Sequence, residues 1–161
     1  MRFLALQLFV ACSAPPTFDL LLAPGPGRDG AGGADGPYGA IATERTYQAR
    51  VTDAARVEIV LPGDEEGAPA VPAAPTVAFV QGGLVDVDRY LWLYTHLASR
   101  GYAVVAPHHT LDLAIFEIGN ASAAYAGARG DPDLGPWIGE SAAVGGHSLG
   151  GCWRASQNAV F

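Results

Sequence analysis

The sequence predicts an α/β fold, a mostly parallel sheet flanked by helices. Three observations predict it. Residues 76–80, Thr-Val-Ala-Phe-Val, and residues 102–106 are short continuous apolar runs, the pattern of parallel strands covered on both faces. Between them, Tyr90, Leu93, Tyr94 and Leu97 recur at helical spacing and give one apolar face. A further strand of small residues, 142–146, runs directly into Gly146-His147-Ser148-Leu149-Gly150-Gly151.

Taken in order, the chain starts with a short positive region, Met1-Arg2, then a stretch from Phe3 to Ala11 that is apolar apart from Gln7, then Cys12. That is the pattern of an export signal. Leu8-Phe9-Val10-Ala11-Cys12 resembles a bacterial lipobox, which makes Cys12 the lipidation candidate; cleavage after Ala14 is the rival reading. Export would put the chain in the periplasm or cell envelope as a lipoprotein, or outside the cell. Residues 13–37 are rich in Pro, Gly and Ala and read as a linker, since such composition buries little apolar surface. Residues 38–161 read as the domain. Residues 43–51 and 55–61 alternate as strands do. Pro62–Gly67 is a turn and 68–75 a surface loop. A helix is expected over 88–100, with Asp86 or Asp88 at its start and Gly101 as its stop. Residues 111–125 read as a helix after a loop, and 127–139 as loop.

Length and charge narrow the function. A chain of 161 residues suits one domain with a real core. A formal net charge of −7 argues against a nucleic-acid partner. No apolar run reaches the ~20 residues that span a bilayer, so contact with a membrane is expected only through an N-terminal lipid anchor. Of the two cysteines, Cys152 reads as a small packed residue.

The glycine-flanked serine carries the chemistry. In a G-x-S-x-G elbow the serine occupies a sharp strand-to-helix turn, and positions two before and two after must be nearly free of side chain. Here these are Gly146 and Gly150, with Ser148 as candidate nucleophile. Attack on an acyl carbon leaves an oxyanion that needs fixed donors. The backbone N–H of Leu149 is one candidate. The glycine-rich loop after the first apolar strand, Gln81-Gly82-Gly83-Leu84, offers the other, Gly83. No cofactor is called for, and the histidines do not form a metal site at convincing spacing. His147 fills the motif, His96 faces solvent, and His108-His109 follow a strand end at the same sheet edge as the elbow. Asp86, Asp112, Asp131 and Asp133 read as caps and turns.

The loop 81–84, Tyr90, residues 97–107 (Leu-Ala-Ser-Arg-Gly-Tyr-Ala-Val-Val-Ala-Pro) and the elbow together resemble the α/β-hydrolases that group chlorophyllases, platelet-activating-factor acetylhydrolase-like esterases and polyester-degrading cutinases. Gly36-Pro37-Tyr38 matches the domain start of some members. The resemblance spans residues 36 to about 151. It implies hydrolysis of a small-molecule, lipid or polymer ester through a seryl acyl-enzyme, with Ser148 as nucleophile and the N–H groups of Gly83 and Leu149 as oxyanion hole. Relatives place an acid and a histidine after the elbow. Residues 152–161 do not match the alanine-rich helix expected there, so the sequence predicts the N-terminal half of such a fold, truncated after the elbow, with weak or no turnover. A non-catalytic exported protein and a lipid-anchored binding module stay open as alternatives.

Overall fold

The computed structural model describes residues 16–23, 35–48, 54–108 and 114–148. The segment read as an export signal, with Cys12, and Leu149, Gly150, Cys152, His109 and Asp112 lie outside them. Six strands form one sheet in the order β1-β2-β3-β5-β4-β6: β1 Asp19–Leu22, β2 Gly39–Tyr47, β3 Ala55–Gly63, β4 Ala74–Val80, β5 Ala103–Pro107 and β6 Ile138–Gly146. Two helices, α1 Leu91–Ser99 and α2 Ala114–Gly130, complete the described fold.

The sheet is mixed. β1, β2, β3 and β5 pair antiparallel in succession. β5 with β4, and β4 with β6, pair parallel. The parallel half is where helices connect the strands, and it carries the glycine-rich loop and the elbow. β5 is buried along its whole length, which accounts for its unbroken apolar sequence.

Each face of the sheet packs its own core. On one side Ile41, Val57, Ile59, Leu61 and Val105 meet Ala124, Tyr125 and Ala128 of α2. On the other Ala42, Val60, Phe79, Val104 and Ala106 meet Tyr90, Tyr94 and Ala98. Successive residues of β5 fall alternately into the two cores, as the pleat requires.

Several boundaries differ from the sequence expectation. β1 lies within the Pro/Gly-rich stretch 13–37. Phe18-Asp19-Leu20-Leu21-Leu22 is an apolar island there, and Phe18 and Leu22 pack against opposite cores while the strand pairs with β2. The average composition conceals that run. The helix expected from residue 88 opens as a 3-10 turn, Val87–Tyr90, before α1 begins, and Asp86 makes no side-chain cap. Gly101 does stop α1: its φ is +91°, and the N–H groups of Gly101 and Tyr102 return to the carbonyls of Ala98 and Leu97. α2 continues to Gly130, past the expected loop start. Gly127 sits so close to the Tyr47 ring that a Cβ would lie 2.4 Å from its Cγ, so a glycine that reads as a breaker serves close packing instead.

Two residues lock β6 in place. Thr76 Oγ1 donates to the Ala74 carbonyl and accepts from Gly139 N–H, and Tyr125 donates to the Gly139 carbonyl. Both backbone groups at the start of β6 are thereby satisfied, and the strand reaches the elbow in fixed register with β4. Asp131 closes the turn after α2 by accepting the N–H groups of Asp133 and Leu134, and also accepts the Tyr47 hydroxyl. The turn role read for Asp131 is therefore joined to a tertiary anchor on β2.

The phenols of Tyr47 and Tyr94 are held well above their ordinary pKa of 10.0. Burial is the main cause in both. The Asp131 charge adds to it at Tyr47; at Tyr94 the Gln81 hydrogen bond opposes it, while Tyr90 and Glu58 add to it. The folded state holds these protons more tightly than the unfolded chain does. Their contribution to stability is therefore complete below the unfolded pKa and is lost as pH rises past it. We expect the urea midpoint to fall above about pH 10 and part of that fall to disappear in Tyr47→Phe. A midpoint as high at about pH 11 as at neutrality would contradict this.

Candidate active site

β4 and β6 are parallel neighbours with Val80 in register with Gly146. Their carboxyl ends therefore deliver the loop after Val80 and the turn after Gly146 to one place. His147 N–H donates to the Val80 carbonyl at 3.2 Å, carrying the ladder one residue beyond the strands.

Ser148 has φ +55°, a conformation that L-residues avoid. The described chain has three non-glycine residues at positive φ, Ala73, Leu84 and Ser148. Two of these stand in the segments that meet here. Strained backbone of this kind collects at functional sites, and it turns the serine outward: both His147 and Ser148 are exposed. Gly146 ends β6, so the turn starts from a residue with no side chain.

The loop 82–85 closes as a tight turn in which Val85 N–H donates to the Gly82 carbonyl at 3.2 Å. A Cβ added at Gly82 would lie 2.9 Å from His147 Nδ1, 3.2 Å from the Tyr90 hydroxyl and 3.4 Å from Ser148 Cβ. The glycine is therefore what allows the loop to lie against the serine. The Gly82 N–H donates to the Tyr90 hydroxyl at 3.0 Å. The Gly83 N–H takes no backbone partner among the described residues. Beneath the loop, Gln81 is fully buried, with Nε2 3.4 Å from the Tyr94 hydroxyl.

Periodicity assigned Tyr90 to the core, and its ring is there, 5.1 Å from Phe79 and 6.3 Å from Tyr94 between centroids. Its hydroxyl, 2.9 Å from His147 Nδ1, belongs to the site. Spacing reports where a ring points but not what its polar tip reaches, so the sequence held no signal for this contact.

The described histidines all have other partners. His96 faces Asp35 at 3.4 Å. His108 lies at the end of β5, with β4 between it and the elbow strand. Its Nδ1 is 2.9 Å from the Arg56 guanidinium, and its Nε2 is 3.7 Å from carboxylate oxygens of both Glu44 and Glu58. These three side chains offer ligand atoms within 4.8 Å of one another. Arginine only donates, so Nδ1 accepts and the ring proton sits on Nε2. The carboxylates therefore face an N–H rather than a lone pair, and Arg56 also pairs with Glu44 at 3.3 Å. The donor chemistry is that of an ion-pair network on the antiparallel side of the sheet.

A mixed sheet with helices on both faces, a strained serine directly after β6, the last strand of the described sheet, and a glycine loop beside it define the architecture of a hydrolase of α/β type. The profile of the alpha/beta hydrolase family matches residues 76–160, more than half of the chain, and the chain belongs to that family. No curated protein matches it.

Proposed function

We propose that the chain is a serine carboxylic-ester hydrolase in which Ser148 forms the acyl-enzyme and the N–H groups of Gly83 and Leu149 receive the oxyanion. The observation that carries the reading is the contact of the Gly82 loop with a serine held at positive φ. A nucleophile on a strained turn beside a loop N–H that has no backbone partner among the described residues is the arrangement acyl transfer requires. A serine hydroxyl needs a base. His96, His108 and His147 are each engaged elsewhere, which favours, as a second reading, a chain that binds esters without turning them over. The same proposal places the protein in the cell envelope, held by lipid at Cys12; Cys12→Ser should release it from the membrane fraction.

The test is reaction with an alkyl fluorophosphonate, peptide mapping of the adduct and a panel of nitrophenyl esters. An adduct on Ser148 with ester turnover supports the hydrolase. An adduct at another residue, or none, rejects it, and ester binding without turnover favours the second reading.

Gly82→Ala tests the loop directly. The new Cβ must displace His147 or Tyr90 and push the loop from the serine. A shift near 1 Å at a reacting centre costs about 10²-fold, so we expect a drop of that order in the rate of Ser148 capture with the fold retained. An unchanged rate would show that the loop takes no part.

A further inference from the structure

We infer that Tyr90 is a positioning residue that ties the oxyanion loop to the nucleophile elbow through its hydroxyl. The inference rests on the serine-hydrolase reading of the same site. The phenol oxygen accepts the Gly82 N–H at 3.0 Å and lies 2.9 Å from His147 Nδ1. A phenol has one proton to give, and a buried one needs an acceptor. Among the described residues His147 Nδ1 is the acceptor in reach, so the proton runs from Tyr90 to Nδ1, and the ring proton of His147 sits on Nε2. One hydroxyl therefore joins the residue that begins the loop to the residue that precedes the serine.

The link has two consequences. It occupies the Gly82 N–H, so donation to a developing oxyanion falls to Gly83, whose N–H has no backbone partner among the described residues. It also holds the spacing between loop and serine against a rigid support. The Tyr90 ring is fixed by Phe79 at 5.1 Å, by Tyr94 at 6.3 Å and, from above, by the His147 ring at 5.9 Å. Leu84, at φ +59°, is 78% exposed, and Val85 returns the outer end of the loop to the core. Gly82, at the inner end, is where the loop is bonded to Tyr90 and lies against the serine. Oxyanion donors act only when held at the place where charge develops, and loosening them lowers kcat rather than ground-state binding.

The experiment compares Tyr90→Phe with Tyr94→Phe in the full chain. Tyr94→Phe removes a buried hydroxyl from the next turn that faces Gln81 and not the elbow, so it reports what loss of any core phenol does. Two readouts are taken: amide hydrogen exchange at Gly82 by NMR, which needs no turnover, and kcat and KM on a nitrophenyl ester. We expect Tyr90→Phe to speed Gly82 exchange at least about 10-fold and to lower kcat by about 10-fold or more with KM nearly constant. Tyr94→Phe should leave the exchange and the kcat-to-KM split unchanged. His147→Ala, at the exposed end of the link, should lower kcat in the same direction. In combination with Tyr90→Phe the losses should not multiply, because both remove one connection. Equal Gly82 exchange in wild type and Tyr90→Phe overturns the inference, as does a kcat loss that Tyr94→Phe reproduces. A wild-type Ser148 that takes no phosphonate instead overturns the hydrolase reading, and the Gly82 exchange comparison still decides the role of Tyr90.

Discussion

Ser148→Ala is expected to bring fluorophosphonate capture to background and to remove ester turnover above that of the buffer. In a fully assembled serine hydrolase the nucleophile and its partners act as a unit, and losing the serine costs up to about 10⁶-fold in kcat. Proton transfer by a positioned base contributes roughly 10²–10⁴-fold of that. The contrast between wild type and variant in covalent capture is therefore expected to be large. Intact mass after incubation with the probe measures it. Capture that persists in Ser148→Ala would move the nucleophile elsewhere and remove the basis for placing the oxyanion hole at Gly83.

The second large effect concerns folding. Gly36 lies against the end of α1, where its N–H donates to Ser99 Oγ and the next N–H along, that of Tyr38, donates to the Ser99 carbonyl. A Cβ at Gly36 would fall 2.1 Å from that carbonyl oxygen. Backbone cannot give way there as a side-chain tip would. The helix end is also pinned by Ser99 Oγ donating to the His96 carbonyl, and by Gly101, over which the Tyr38 ring lies. Overpacking of this kind costs typically 1–3 kcal/mol. We expect Gly36→Ala to destabilise the fold by about 2 kcal/mol or more and to lower the urea midpoint accordingly. An unchanged midpoint would mean that the segment does not dock on α1. The contact also explains why Gly36-Pro37-Tyr38 and Leu97-Ala98-Ser99-Arg100-Gly101 stand out together in the sequence: they touch.

The parts of the fold that were legible in the sequence are those with strong local causes. β4 and β5 read as buried strands because continuous apolar runs leave little else possible. α1 read as a helix because its apolar spacing fits no strand, and Gly101 marked its end because only glycine adopts φ +91° without strain. The turn at the serine was legible from Gly146, which ends β6 just before Ser148 takes φ +55°. Less was visible where an average hid a local feature. β1 was lost in a Gly/Pro-rich background, and Gly127 suggested a break in α2 because nothing local announces the Tyr47 ring against it. The antiparallel pairing of β3 with β5 joins strands distant in sequence, and only packing decides their direction.

By itself the sequence determined the class of the fold and the alpha/beta hydrolase membership, and it singled out Ser148 as the candidate, since each reading depends on residue types at fixed short spacing. The tertiary structure alone decided which polar groups meet. It placed Gly82 against Ser148, gave the Tyr90 hydroxyl to both Gly82 and His147, and drew His108 into an ion-pair network with Arg56, Glu44 and Glu58. The reason is physical. Backbone propensity and apolar periodicity act over a few residues, whereas a hydrogen bond is made within about 3 Å between groups that the sheet brings together from separate segments of the chain.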